Sequence, residues 1–524
     1  MGKGQGKGQR VHLNFKPPTS SADILSEKVV NAPPAIYTKP QQELNKNVEE
    51  TPLIHLITTY ISYFILIVVG HVRDFIKRRT NPELFKHLSV RDGYAPINSG
   101  FDTFYHRNLY YRIRDVFNRP TTGVPGRTVN IIERESKDYN HTFQYSGKTR
   151  EVLNLSSYNY LGFGENNGPC CDAVEQTVRK FGISTCSSRL ETGGNELHVE
   201  TEALVARFMG QEAAIVCSMG FATNSTMIPA LVGKGDLIIS DELNHASLVF
   251  GSRIAGCGIK VFKHNDPVDL EAVLREAISQ GQPRTHRPWK KILIVVEGLY
   301  SMEGNICKLP QFVELKKKYK CYLYLDEAHS VGALGPNGRG ICDFYGIDPC
   351  EIDILMGTFT KSFGAAGGYI AGKKSVIDHL RLNSHSAVYA ESVSVPVIKQ
   401  IYASMRMIMG EDYGSEGRHR IQTLARNARF FCSELRKMGF IVYGNDSPVI
   451  PLLLLNPAKI PAFSREMLKR GIAVVVVGYP ATPIITSRVR FCISAAHTME
   501  DLTWALEQIS QVGDRLLLKM APKE

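Results

Sequence analysis

A single lysine, Lys361, stands in a stretch of small and hydroxyl residues that reads GTFTKSFGAAGGY from 357 to 369. A lysine at a solvated surface usually has charged or polar neighbours, whereas this one has hydroxyl residues and glycines. These surroundings predict a cramped pocket that desolvates the ammonium, lowers its pKa and leaves a free amine able to form a Schiff base. Taken alone, the stretch fits a glycine-rich turn after a strand equally well.

A carboxylate stands at a matching position earlier in the chain. Residues 321–325 and 353–356 both read as short buried strands; Asp326 follows the first, and Lys361 comes shortly after the second. Pyridoxal phosphate (PLP) enzymes need such a pair, because a carboxylate keeps the pyridine nitrogen protonated while a lysine holds the aldehyde. The two strand ends therefore predict PLP chemistry.

Composition narrows the class of protein. The chain has 524 residues, enough for two or three domains, and a net charge of +11. That charge fits an anionic membrane surface or an anionic substrate such as a coenzyme A ester. No RNP, zinc-finger or basic-zipper pattern is present, so we expect no nucleic-acid partner. The 11 cysteines are scattered without a CxxC pair, which indicates reduced cysteines and no metal site.

The N-terminal part contains one long apolar segment. Residues 1–50 are polar and predict a disordered tail. The next segment has no acidic or strongly basic residue from Leu53 to Val72 and predicts a transmembrane helix over 51–73, with a buried core helix or an interfacial segment as alternatives. Four basic residues follow within 73–79, so the positive-inside rule places the rest of the chain in the cytosol.

The remaining chain divides into three parts. Residues 74–150 form an aromatic and basic juxtamembrane lead-in, part of which fits an amphipathic helix. That helix could rest at the membrane interface or pack on the catalytic domain or a partner. Residues 151–395 alternate between strand-like and helix-like segments, which predicts a large α/β domain with a mainly parallel sheet. Residues 396–524 predict a smaller α+β domain.

Several further motifs stand in the large domain. They read SYNYLG at 157–162, SMGF at 218–221, DELNHAS at 241–247 and EGLYSMEG at 297–304. Together with the lysine segment, the chain from Asn154 to Leu506 resembles the α-oxoamine synthase family of fold-type I PLP enzymes. The combination of motifs is far more specific than any one of them.

The resemblance implies a role for each motif. Lys361 matches the Schiff-base lysine and base at Cα, and Asp326 matches the partner of the pyridine nitrogen. His245 matches the histidine on the cofactor face, His329 matches the group near the ring hydroxyl, and Ser301 matches a serine lining the cofactor site. Gly220, Phe221 and Thr358 match the phosphate site, where a helix N-terminus supplies N–H groups. Tyr158 and Asn159 match positions that contact the substrate.

One position departs from the family pattern. The family places an arginine for the amino acid carboxylate before a proline-rich segment, and here Gly478 stands at that position. Arg490 matches a second family arginine and could hold the carboxylate, since a guanidinium has the fork geometry for it. A structural salt bridge of Arg490 is the alternative.

The resemblance is strongest to family members of the endoplasmic reticulum membrane whose catalytic domain faces the cytosol. These condense L-serine with palmitoyl-CoA to 3-oxosphinganine, CoA and CO2, the first step of sphingolipid biosynthesis, and act as heterodimers with a related lysine-free subunit. Two alternatives remain open. One is a glycine-using member such as 5-aminolevulinate synthase, and the other is a non-catalytic membrane scaffold.

Overall fold

The computed structural model describes residues 52–90, 92–96, 100–479 and 481–521, so the predicted tail over 1–50 lies outside the described residues. The strands are β1 (Thr121–Thr122), β2 (Thr128–Glu135), β3 (Gln144–Asn154), β4 (Ala213–Cys217), β5 (Leu237–Asp241), β6 (Gly258–Phe262), β7 (Ile292–Glu297), β8 (Tyr322–Asp326), β9 (Ile354–Thr358), β10 (Gly368–Gly372), β11 (Val449–Leu453), β12 (Ile472–Ala473), β13 (Val475–Val477) and β14 (Arg488–Cys492).

Helices cover these strands on both sides. The α-helices are α1 (Leu53–Thr80), α2 (Gly100–Tyr105), α3 (Tyr111–Ile113), α4 (Pro169–Phe181), α5 (Glu196–Met209), α6 (Gly220–Leu231), α7 (Ala246–Ile254), α8 (Pro267–Gln280), α9 (Leu309–Tyr319), α10 (Ile341–Tyr345), α11 (Lys374–Asn383), α12 (His385–Val388), α13 (Val395–Met409), α14 (Glu416–Lys437), α15 (Lys459–Lys469) and α16 (Met499–Leu516). A π-helical turn (His106–Tyr110) and short 3₁₀ turns (Pro82–Leu88, Arg114–Val116, Pro349–Glu351, Ile484–Thr486) complete the chain.

A seven-stranded sheet, in the order β4-β10-β9-β8-β7-β5-β6, forms the centre of the large domain. All neighbours are parallel except β10, which runs antiparallel to both β4 and β9. Strands buried on both faces read as continuous apolar runs. In β8, Leu323 and Leu325 accordingly belong to one buried cluster and Tyr324 to the cluster on the opposite face. The predicted mainly parallel α/β domain is confirmed.

The C-terminal part carries a second, smaller core. An antiparallel sheet, β11-β14-β13, packs beneath α14, α15 and α16. The lead-in joins this part, because β2 and β3 form a sheet with β12 and because Ile113 and Val116 lie in the same buried cluster. The aromatic stretch therefore packs on the protein through these residues. The division at 151–395 and 396–524 stays a prediction, and β3 crosses the boundary at 150.

Helix α1 is long and apolar enough to cross a membrane. It has 28 residues, against the 23 predicted, because it continues through the basic residues to Thr80. At about 1.5 Å per residue it measures roughly 42 Å, more than the roughly 30 Å hydrocarbon core of a bilayer. Its most apolar 18-residue window has a mean hydropathy of 2.0 and is only 17% buried, so it is not a core helix of the described part.

One side of α1 contacts the rest of the protein. Asn456 donates a hydrogen bond of 2.8 Å to Ser62, in the first half of the helix. Near the other end, Arg107 lies 2.8 Å from the buried carboxylate of Asp74. Large apolar side chains such as Phe64 cover the opposite side and are exposed. The helix thus has a protein-facing side and an apolar side suited to lipid.

Candidate active site

Lys361 lies in the turn between β9 and β10, and two glycines shape that turn. Gly364 and Gly367 have φ values of +61° and +88°, and a Cβ at either position would collide with backbone atoms of neighbouring segments. The turn is tied down further by Ser362, which donates 2.8 Å to the carbonyl of Val331. Glycine is needed here for both conformation and space. The lysine is therefore held on a well-defined loop at the end of β9.

The pocket disfavours the charged form of Lys361. Burial lowers the pKa of its amine to about 8, while the carboxylates of Asp326 and Glu297 oppose that shift and the charge of Arg490 reinforces it. The amine forms no ion pair with any residue that the structure describes. At pH 7 roughly a tenth of such amines are neutral, against roughly 0.03% for an ordinary lysine. The predicted free amine thus has a physical basis.

Asp326 ends β8, the strand next to β9 in the sheet. Its carboxylate is buried and accepts one hydrogen bond on each oxygen, 2.7 Å from the amide of Asn224 and 2.8 Å from the N–H of Ala328. Glu297, the residue paired with Asp326 in the β7–β8 register, adds a second buried carboxyl. Burial first, and the charge of Asp326 second, raise the pKa of Glu297 well above its usual range.

Both predicted histidines border this edge of the sheet. His245 is the N-cap of α7, and its Nδ1 lies 2.7 Å from the hydroxyl of Ser247. Burial lowers its pKa. His329 is buried with its Nδ1 2.9 Å from the hydroxyl of Tyr160, and burial, reinforced by the charges of Lys361 and Arg490, lowers its pKa well below the usual range. Both rings are thus favoured in the neutral form.

Tyr158 occupies the space between three of the predicted residues. The centre of its ring lies 5.7 Å from Nζ of Lys361, 4.7 Å from the guanidinium carbon of Arg490 and 5.1 Å from the His329 ring. Burial raises the pKa of its hydroxyl to about 12. Lys361, Arg490 and His329 therefore converge on one aromatic side chain. Asn159 is different, because its side chain bonds Pro125 and Gly164 within its own surroundings.

Arg490 is a buried guanidinium without an acidic partner in the described part of the chain. It lies in β14 with 5% of its surface exposed, its Nε has no hydrogen-bond partner, and Nη1 lies 3.6 Å from the sulfur of Met302. Arg488, two residues earlier, pairs instead with Glu303 at 3.5 Å. No salt bridge of Arg490 occurs among the described residues, and its role at a substrate carboxylate stays a prediction. An unpaired buried cation calls for an anionic ligand.

The other end of the pocket has free backbone N–H groups. No side chain caps the N-terminus of α6, which begins at Gly220. A Cβ on Gly220 would lie 2.8 Å from the hydroxyl of Thr358. That hydroxyl lies 2.8 Å from the carbonyl of Gly367 and is buried, while Thr360 beside it is exposed. Phe221 is exposed at the rim, and the roles of these residues at a phosphate stay predictions.

Ser301 lies in the turn after β7 and is partly exposed. No hydrogen bond of its side chain occurs among the described residues. Sequence reasoning missed four residues around Asp326 and the histidines, namely Asn224, Ser247, Glu297 and Tyr160. The last three lie within the motifs quoted above, so the motifs hold a signal for them, whereas Asn224 stands outside every quoted motif.

The residues present fit PLP. A buried carboxylate for a pyridine nitrogen, an amine with a lowered pKa and an uncapped helix start with room only for glycine lie at one edge of a mainly parallel sheet. Together they define a PLP-dependent enzyme of fold type I.

Comparison with known proteins agrees with the assignment to PLP-dependent enzymes of fold type I. The family "Aminotransferase class I and II" matches residues 150–509. Serine palmitoyltransferase 2 of Schizosaccharomyces pombe is 55% identical over 91% of this chain and 80% of its own length. A solved Sphingomonas wittichii serine palmitoyltransferase is 28% identical, with a TM-score of 0.68 over 79% of this chain and 96% of that one. A high-resolution structure of SPT with PLP is 29% identical, with a TM-score of 0.67 over 77% and 94%. The chain belongs to the class I and II aminotransferase family and, within it, to the serine palmitoyltransferase 2 group.

Proposed function

We propose that this chain is the catalytic subunit that condenses L-serine with palmitoyl-CoA, releasing 3-oxosphinganine, CoA and CO2. The observation that carries the proposal is the joint position of Lys361, Arg490 and His329 around Tyr158, in a chain more than half identical to a serine palmitoyltransferase 2. Asp326 ends the strand next to the one that Lys361 follows. An amine, a carboxylate and a guanidinium without a carboxylate partner are what an enzyme needs to bind PLP and an amino acid together.

PLP, when bound, supplies an electron sink for the electron pair left at Cα of serine. The chain's own groups do the rest. Asp326 holds the proton on the pyridine nitrogen, and Lys361, with its lowered pKa, accepts the proton from Cα. Arg490 binds and orients the carboxylate that is later lost as CO2. His245 and His329 provide neutral rings against the cofactor, where they add no competing charge.

The acyl donor and product fit a membrane enzyme. Both carry a long alkyl chain, and α1 would hold the site at the bilayer surface where such molecules concentrate. We place the catalytic part on the cytosolic side of the endoplasmic reticulum membrane, because basic residues follow the apolar segment directly.

A related, lysine-free subunit is proposed as the partner. Apolar side chains at the rim near His245 support this assignment, because Met219, Phe221 and Phe250 are 58%, 44% and 50% exposed. Contiguous exposed apolar surface of this kind marks an interaction site. The partner would cover the rim and close the cofactor pocket.

The test uses the chain expressed alone and together with that subunit in membranes. We expect a yellow protein with an absorption band at about 420 nm that changes when L-serine is added. Palmitoyl-CoA should then release CoA, measured with a thiol reagent, only in the paired preparation. A colourless protein in both preparations would contradict the proposal and favour a non-catalytic scaffold.

Two variants make this test specific. Lys361→Ala should abolish both the band and CoA release while leaving the melting temperature of the cofactor-free protein within a few degrees. Lys374→Ala removes an exposed lysine paired with Asp378 on α11 and serves as the control with full activity. Glycine replacing serine as the productive substrate would identify a glycine-using member of the family.

A further inference from the structure

Asn224 is a fully buried amide that the predicted site residues do not include. It lies one turn into α6, with 1% of its surface exposed, behind the uncapped start of that helix. Its position depends on a close approach of α6 and α7. Position 251 in α7 must be glycine, because a Cβ on Gly251 would lie 2.8 Å from the backbone oxygen of Asn224.

Three hydrogen bonds fix the orientation of this amide. The nitrogen lies 2.7 Å from the carboxylate of Asp326 and 2.9 Å from the hydroxyl of Ser247, and the oxygen accepts from the hydroxyl of Tyr324 at 2.7 Å. The nitrogen must face the carboxylate, because the reverse orientation would set the amide oxygen against a carboxylate oxygen. Both N–H donors are therefore used, one on each partner.

The same bonds reach the histidine on the other side. Since Ser247 accepts from Asn224, its own hydroxyl proton is free to donate to Nδ1 of His245, 2.7 Å away. The backbone N–H of Ser247 also points at that nitrogen, at 3.2 Å. With Nδ1 accepting, the neutral ring carries its proton on Nε2. The amide of Asn224 thus donates directly to Asp326 and, through the hydroxyl of Ser247, determines that Nδ1 of His245 accepts a hydrogen bond.

We propose that Asn224 is a positioning residue for the cofactor site, acting through Asp326 and, by way of Ser247, through His245. This rests on the proposed function, since it concerns how the same site holds PLP. A buried amide is costly unless its bonds are made. Here its charge-assisted bond goes to Asp326, the carboxylate proposed to protonate the pyridine nitrogen.

The sharpest test is Asn224→Asp, which keeps the shape and replaces a donor by an acceptor. Two carboxylates at this distance ionise together only with difficulty, so the pair shares one proton at low pH and loses it only as the pH rises. With the proton present, position 224 still donates to Asp326; without it, repulsion displaces Asp326. The charged or titratable groups facing Asp326 are Glu297, Glu327, His245, Lys361, Tyr324 and Tyr369.

The readout is the dissociation constant of PLP from pH 6 to pH 9, measured by absorbance on the paired protein. Relative to the unsubstituted protein, we expect the PLP affinity of Asn224→Asp to fall by about tenfold or more between pH 6 and pH 9. A difference of one pKa unit between the PLP-bound and PLP-free protein corresponds to a tenfold change in affinity. Asn427→Asp is the matched control, because Asn427 is also a fully buried amide whose nitrogen donates to two carbonyls. The Asn427→Asp variant should have a lower melting temperature, and its PLP dissociation constant should depend on pH as that of the unsubstituted protein does.

Tyr324→Phe serves if Asn224→Asp fails to fold, because it removes one hydroxyl and leaves the ring. Losing a single hydrogen bond to the amide should weaken PLP binding about 2- to 10-fold. The inference is wrong if Asn224→Asp has the same PLP dissociation constant, with the same pH dependence, as the unsubstituted protein, because Asn224 would then only fill the core. The same outcome for Tyr324→Phe counts against it if Asn224→Asp does not fold. If the unsubstituted protein itself binds no PLP, the proposed function fails instead.

Discussion

Replacing Arg490 by methionine should strengthen the fold and destroy serine binding at the same time. The guanidinium is buried, its Nε has no partner, and no carboxylate of the described residues pairs with it. Replacing whole buried ion pairs by apolar side chains stabilises proteins by up to about 1–4 kcal/mol, and a buried charge without a carboxylate partner should gain a similar amount, because no attraction offsets its desolvation cost. Arg490→Met should therefore raise the free energy of unfolding of the cofactor-free protein.

Serine binding should fall because its carboxylate loses both donors of the guanidinium. Hydrogen bonds to charged groups contribute about 1.5–3 kcal/mol each, so losing two should raise the dissociation constant of serine by about 100-fold or more. The assay is a titration with L-serine followed by absorbance, with thermal or urea unfolding in parallel. The combination of higher stability and lost affinity is the expected result.

Arg488→Met is the matched control, two residues away on the same strand. Arg488 pairs with Glu303 and donates to the carbonyl of Met302 at 2.6 Å. Removing it leaves the partly buried carboxyl of Glu303 without its partner and should destabilise the protein, by less than the roughly 3–5 kcal/mol of a fully buried pair. If Arg490→Met destabilises the protein as much as Arg488→Met does, or binds serine normally, Arg490 is a structural residue and the reasoning is refuted.

Three more predictions concern separate parts of the chain. The rate at which cofactor-free protein gains its band with PLP should rise with pH with a midpoint at about 8, since only the neutral amine of Lys361 reacts. A midpoint at about 10 would contradict the lowered pKa. Tyr160→Phe removes the hydrogen bond to His329 and should shift the visible spectrum and slow turnover about 3- to 10-fold without loss of PLP, and an unchanged spectrum would count against it. Asp74→Ala leaves Arg107 unpaired and should lower the melting temperature by several degrees, measured in detergent, whereas no change would show that the contact with α1 adds nothing.

The central sheet could be predicted because its strands are buried on both faces. Their apolar runs stand out from the helices between them, and Lys361 and Asp326 follow two such runs. The sequence of strand β10 contains no comparable apolar run. It is five residues long, contains three small ones, and owes its place between β4 and β9 to sheet pairing that no local pattern encodes.

The supporting residues of the site could not be ranked from sequence. Asn224 looks like any polar residue in a helix, and its importance comes from where α6 and α7 approach each other. The same holds for α1, where hydropathy predicts the helix but says nothing of which side meets Asn456. Helix hydrogen bonding also continues past the last apolar residue, which is why α1 ends at Thr80 rather than at the basic cluster.

The charges of the pocket explain why an amino acid, rather than a simple amine, suits it. Burial drives both Lys361 and Glu297 toward their neutral forms. What remains is the Asp326 carboxylate, held by two N–H donors, and the Arg490 guanidinium, which has no anionic partner among the described residues. A pyridinium nitrogen complements the first and a substrate carboxylate the second. An amine without a carboxylate would leave Arg490 buried without an anionic partner, so we propose that the pocket selects its substrate through this uncompensated positive charge.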